Sequence, residues 1–291
     1  MSLRSQLEAG KFVITAEIGP QKGTEVTEIA EVAELLRGRV VAANVTDQQS
    51  SVMRLGSLVT CHLLTDHQLE PILQMTCRDR NRIALQSDLL GAWVLGIRNV
   101  LSITGDLPVL GDQPHATPVY DLDSVQLLAA ISRLNEGFDM SGNELAGKPD
   151  FFAGAVVKPG ADTEASLDSQ LYKMEAKIKA GARFIQTQAV YEPEKFASFM
   201  KRAEGFGVPV IAGVIPLKSA GMARFMNKRV AGVSVPEETI QRVANAEDKN
   251  MIGLELAAEL MKDLKDLCQG IHIMPIGWEK RIPELLDLAG F

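Results

Sequence analysis

Eight short, almost uninterrupted apolar runs, each followed by a longer segment of helical periodicity, constrain the fold of this chain more than any other feature. In the first half they are residues 12–17 (FVITAE), 40–46 (VVAANVT), 71–76 (PILQMT) and 99–104 (NVLSIT). The second half adds 151–157 (FFAGAVV), 183–188 (RFIQTQ), 208–215 (VPVIAGVI) and 271–276 (IHIMPI). A strand covered on both faces needs no alternation of polar and apolar residues, so runs of this kind read as strands of a parallel sheet.

The intervening segments carry helical spacing. Residues 27–36 put Ile29, Val32, Ala33 and Leu36 on one face, and 79–95, 123–134, 167–180, 193–204 and 250–268 behave similarly. Gly96, Gly181 and Gly205 or Gly207 each stand one to three residues before the next strand, where a helix commonly stops. Residues 137–149 and 232–250 read as loops or short helices. Eight β-then-α units with short connections predict a single (β/α)8 TIM barrel over residues 1–291. An open, doubly wound sheet would carry a glycine-rich phosphate turn after its first strand, and Gly19-Pro20-Gln21-Lys22-Gly23 lacks the GxGxxG spacing.

Composition narrows the function classes. A net charge of −7 argues against general binding to nucleic acid or an anionic membrane, while leaving room for a local basic pocket. No apolar run approaches the roughly 20 residues of a membrane helix, and the first residues lack a signal-peptide core. Three scattered cysteines, Cys61, Cys77 and Cys268, form no CxxC pair and read as reduced thiols. A soluble, cytoplasmic protein is expected. The set Cys61, His62, His67 and Cys77 matches no closed zinc pattern, and no metal is expected.

In such a barrel the loops after the strands' carboxyl ends form the active-site mouth. The predicted ends carry Glu17, then Thr46 and Asp47, Gln74 and Thr76, Thr104 and Asp106, and Gln186, Thr187 and Gln188. Glu17 lies in an apolar strand, where burial should penalise its ionised form and favour a proton donor. A structural ion pair with a lysine or arginine is the alternative. Gly105-Asp106-Leu107-Pro108 is either a ligand-contacting turn or an ordinary Asx turn. Thr187 and Gln188 offer a hydroxyl and an amide, suited to a pterin edge or to neighbouring backbone. Lys158, Lys173 and Lys177 form the best local basic group for a cofactor diphosphate, with Lys173 read as solvated. His272, Trp93 and Trp278 read as packing residues.

These ends coincide with motifs: AEIGP containing Glu17, NVT ending in Thr46, MTC at 75–77, TGDLP at 104–108, AGARFIQTQ at 180–188 and GVIP at 213–216. In their order and spacing, over residues 12–276, the chain resembles the methylenetetrahydrofolate reductase family. The resemblance implies a barrel that holds a flavin, usually FAD with FMN as the alternative, and reduces 5,10-methylenetetrahydrofolate to 5-methyltetrahydrofolate or runs the reverse. It implies Glu17 as general acid, Asp106 beside flavin and folate, and Gln188 on the folate or nicotinamide substrate. Thr46 matches a hydroxyl near the same stack, Gly105 the flavin-contacting turn, and Lys177 a lysine toward the cofactor phosphates. Gln74 and Thr104 stand at cofactor positions where some members have histidine and arginine. Asp47 replaces a tyrosine and Met222 a glutamine. These departures leave FAD or FMN open, and also the electron donor, whether NAD(P)H or a redox partner subunit. An oligomer is expected. The competing readings are a pterin-binding barrel methyltransferase, and a non-catalytic folate- or flavin-binding subunit of a redox complex.

Overall fold

The computed structural model describes residues 1–160, 163–230 and 232–291. Its eight strands are β1 (Val13–Ile18), β2 (Ala42–Val45), β3 (Pro71–Thr76), β4 (Asn99–Ile103), β5 (Phe152–Val157), β6 (Phe184–Ala189), β7 (Val210–Val214) and β8 (Gly270–Ile273). They run parallel in sequence order, and β8 closes on β1 to complete a barrel. This is the (β/α)8 architecture that the alternating apolar runs predict. Every residue of β1, β2, β3, β7 and β8 is buried, as expected where one strand face meets the barrel interior and the other meets helices.

The two faces carry different cores. Outward-facing strand residues such as Ala43, Leu73, Val100 and Ile185 pack with Ile29, Leu89, Leu127 and Met261 from the surrounding helices. Inside, Val13, Ala42, Ile72, Leu101, Phe152, Phe184 and Ile211 fill the amino-terminal end of the barrel. Phe152 and Phe184 stack there with ring centroids 5.2 Å apart. Gly154 makes room for them, because a Cβ at that position would fall 2.2 Å from Phe184 Cζ. The short helix Leu3–Glu8, capped by Ser2, plugs this end with Leu3 and Leu7. Complete burial of such side chains contributes about 1.5–3 kcal/mol each. With one end closed by apolar packing, the polar interior positions gather toward the other.

The helix expected at 79–95 begins only at Arg82, because the Asn81 side chain accepts from the amides of Ile83 and Ala84 and fixes the start there. Residues 77–80 therefore belong to the mouth. The run at 271–276 ends as a strand at Ile273, since Pro275 has no amide proton for the ladder. Within 232–250 the structure contains the helix Glu237–Asn245.

Candidate active site

A cleft of about 460 Å³ opens at the carboxyl ends of β2 to β6. Its lining includes Gln74, Thr104, Gly105, Asp106, Lys158, Lys177 and Gln188. Residues far apart in sequence are thus brought to one mouth, as barrel closure requires.

Glu17 sits behind this wall, 7% exposed. Gln49 Nε2 donates to its Oε1 at 3.0 Å, and Gln74 Nε2 donates to Oε2 at 3.3 Å. Both glutamines line the cleft. No lysine or arginine pairs with Glu17 among the described residues, so its surroundings are not those of a structural ion pair. Register places Asn44 beside Glu17. Asn44 and Gln186 exchange reciprocal amide hydrogen bonds of 2.8 and 3.0 Å across the buried interior. That satisfied pair forms a polar floor beneath the mouth.

The turn after β4 carries Gly105 at φ +91°. A Cβ there would approach Thr76 Cβ to 3.1 Å and Arg78 Cβ to 3.2 Å, so a side chain would be strained by the backbone conformation and would crowd both neighbours. The Asp106 side chain is exposed and makes no hydrogen bond among the described residues, while its carbonyl is held from three directions. Ser51 Oγ and Tyr120 Oη each donate to it at 2.9 Å, and Arg78 Nη1 donates at 3.4 Å. The turn is fixed by its backbone, and its carboxylate is exposed at the cleft.

Lys158, Lys173, Lys177 and Gln170 occupy the opposite side of the cleft. Lys177 Nζ donates to the Val156 carbonyl at 2.6 Å. Burial lowers the Lys177 pKa, helped by repulsion from Lys173 and Lys158 and opposed by Asp123. Lys173, expected on a solvated face, also reaches this wall.

Two expected residues lie elsewhere. Thr46 is buried and its hydroxyl has no hydrogen-bond partner among the described residues. The Thr187 hydroxyl donates to the Gln188 carbonyl at 2.7 Å and accepts from the Gly213 amide at 2.9 Å, within the irregular β6–β7 pairing. Asp47 accepts from the amide and hydroxyl of Thr76 and pairs with Arg80, tying the ends of β2 and β3 together. Cys61 and Cys77 are buried, and among the described residues no His, Cys, Asp and Glu group is arranged to hold a metal.

Sequence reasoning missed Gln49, Ser51, Arg78 and Tyr120. Two arginines directly after β3, in the string CRDR, were the available signal for Arg78. Gln170, Lys173 and Lys177 recur at spacings of three and four on the helix Glu164–Lys179, which marks one shared face.

Fold and site define a parallel (β/α)8 barrel with a buried acid, amides, a turn carboxylate and a lysine group at its carboxyl mouth. The chain belongs to the methylenetetrahydrofolate reductase family, whose sequence model matches residues 2–290. It is 27% identical over 249 residues to methylenetetrahydrofolate reductase 2 of Schizosaccharomyces pombe, covering 77% of this chain and 36% of that protein. It is 28% identical over 203 residues to the 5,10-methylenetetrahydrofolate reductase of Pectobacterium carotovorum, covering 67% of this chain and 61% of that one. The chain therefore spans about a third to three-fifths of the length of these relatives. Among solved structures, a Clostridium thermocellum protein described as binding two copies of 5-methyl-5,6,7,8-tetrahydrofolic acid shares the fold. Its TM-score is 0.65 at 19% identity, covering 99% of this chain and 97% of that one. No helix among the described residues is long and apolar enough to cross a membrane.

Proposed function

We propose that this chain catalyses flavin-dependent reduction of methylenetetrahydrofolate, with Glu17 as general acid and Asp106 as the carboxylate beside the reacting carbon. The observation that carries this reading is the loop at 48–51, which touches Glu17 through Gln49 and the Asp106 turn through Ser51.

The cleft suits a flavin nucleotide. Lys158, Lys173 and Lys177 concentrate positive charge where a phosphate or diphosphate needs donors. Gly105, without a Cβ, lets the turn lie close against Thr76 and Arg78 at the cleft wall. Thr104 and Gln74 add polar groups to the same wall. FAD is the reading by family resemblance, with FMN the smaller alternative. When bound, the flavin supplies the two-electron hydride that no side chain can provide. It would be recharged by NADH, NADPH or a redox partner subunit.

The residues account for the rest of the reaction. The substrate's one-carbon unit bridges two nitrogens, and opening the bridge requires protonation of the leaving nitrogen. Glu17 gives up that proton, and the carbon–nitrogen bond breaks with its electron pair retained on the nitrogen. Asp106, unpaired at the mouth, offsets the positive charge of the resulting iminium. Addition of hydride to that carbon completes the methyl group, so one proton and one hydride are consumed. Gln188 presents an amide able to donate to and accept from a pterin edge.

The test is a visible spectrum of the purified protein, followed by anaerobic mixing of its reduced form with methylenetetrahydrofolate. A flavin spectrum that returns to the oxidised form on mixing supports the reading. Colourless protein, or reduced flavin indifferent to the folate, contradicts it.

A further inference from the structure

The segment that bridges the two carboxylate-bearing elements has an unusual backbone. Gln48 (φ 52°), Ser50 (φ 56°) and Ser51 (φ 58°) all occupy the left-handed region, and none is glycine. Non-glycine residues avoid this region, and a cluster of them persists only where surrounding contacts over-determine the conformation.

The contacts doing so are visible on both sides of Gln49. Before it, Gln48 Nε2 donates to the Arg54 carbonyl at 3.1 Å, and the Arg54 amide donates to Gln48 Oε1 at 2.6 Å. After it, Ser51 Oγ donates to the Asp106 carbonyl and accepts from Arg78 Nη1 at 3.0 Å. Gly111 lies so close to this turn that a Cβ there would fall 1.8 Å from the Ser51 carbonyl oxygen. Gln49 is thus held at the centre of a doubly anchored strap, and its amide is spent on Glu17 Oε1.

We propose that Gln49 is a positioning residue: carried on a strap bolted to the Asp106 turn, it holds Oε1 of the Glu17 carboxyl while Gln74 holds Oε2, which fixes the plane of the acid behind the cleft wall. The inference rests on the general-acid reading of Glu17. Gln74 alone would leave the carboxyl free to rotate, because its contact is with Oε2. The strap also ties the acid's orientation to the turn that carries Asp106.

A double-mutant cycle on the reaction of reduced holoenzyme with methylenetetrahydrofolate tests this. The variants are Gln49→Leu, Glu17→Gln and the pair, with Gln49→Asn as a second single variant whose amide is one carbon too short. Gln49→Leu and Gln49→Asn should each slow reoxidation about tenfold at saturating folate, the size of one lost orienting contact, with folate affinity unchanged. In the Glu17→Gln background the Gln49→Leu change should add nothing, since the group it orients is gone. Losses that multiply, or Gln49 variants as fast as or faster than the parent, overturn this inference and leave the acid assignment standing. A Glu17→Gln enzyme with an undiminished rate overturns both.

Discussion

His272 Nε2 stands 3.8 Å from Glu17 Oε2, across the pairing of β1 with β8. The other ring nitrogen meets Thr15 Oγ1 at 3.0 Å, which fixes the ring's orientation. A histidine that reads from the sequence as core packing therefore borders the buried acid. Together with Gln49 and Gln74 it surrounds the carboxyl with groups that orient it and carry no permanent charge. These surroundings differ from the lysine or arginine partnership of a structural ion pair.

Asp106→Asn tests the turn carboxylate. The turn is held through the Asp106 carbonyl and not through the side chain, so the variant should fold and retain flavin. Its reaction with methylenetetrahydrofolate should slow by about 10- to 1,000-fold, the range for losing one preorganised electrostatic partner of a developing charge. Stopped-flow reoxidation alongside flavin content measures both halves. An unchanged rate removes Asp106 from the chemistry.

Gly105→Ala should damage the same turn sterically. The left-handed φ costs an L-residue about 1–2 kcal/mol, and the added methyl meets Thr76 and Arg78. Denaturant unfolding should register a loss of that order, and the purified variant should carry less flavin. Equal stability and full flavin content would show that the turn relaxes without consequence.

Lys177 gives a pH-dependent prediction. Burial, with Lys173 and Lys158 nearby, lowers its pKa below the ordinary lysine value. Between the two values the unfolded chain holds the proton and the folded chain does not, so stability rises with pH through that window. Lys177→Met apoprotein should lose this part of the slope in urea unfolding as pH rises toward the ordinary lysine value of 10.5. It should also bind flavin about tenfold more weakly, the equivalent of one lost charged contact to phosphate. Unchanged flavin affinity would place the phosphates elsewhere.

Burial pushes the Cys77 thiol up to about 12, with Asp123 adding to the shift. Cys77 should therefore resist alkylation in the native state at neutral pH and react once the chain is unfolded. Fast native modification, mapped by mass spectrometry, would contradict this burial.

The barrel was legible because burial on both strand faces writes itself into sequence as apolar runs, and glycines mark the helix ends before β4 and β6. The residues at strand ends were legible for the same reason, since Gln74, Thr104 and Gln188 are polar interruptions of those runs. What stayed hidden belongs to irregular backbone. The left-handed turn at Gln48, Ser50 and Ser51 has no glycine to announce it, so Gln49's approach to Glu17 could not be read from spacing. Arg78 falls between the strand expected to end at Thr76 and the helix expected from residue 79, so neither pattern marks it, and the Asn81 cap starts the helix later still. Lys173 is exposed, as its solvated reading expects, and its place on the cleft rim depends on the packing of its helix against the barrel.

The most direct test compares parent and Glu17→Gln enzymes in two separate anaerobic steps, reduction of bound flavin by a chemical reductant and its reoxidation by methylenetetrahydrofolate. The variant should accept electrons normally and lose about 10²- to 10⁴-fold in reoxidation, the contribution of a positioned general acid. Reoxidation at the parental rate would contradict the proposal that the buried glutamate of β1 protonates the folate.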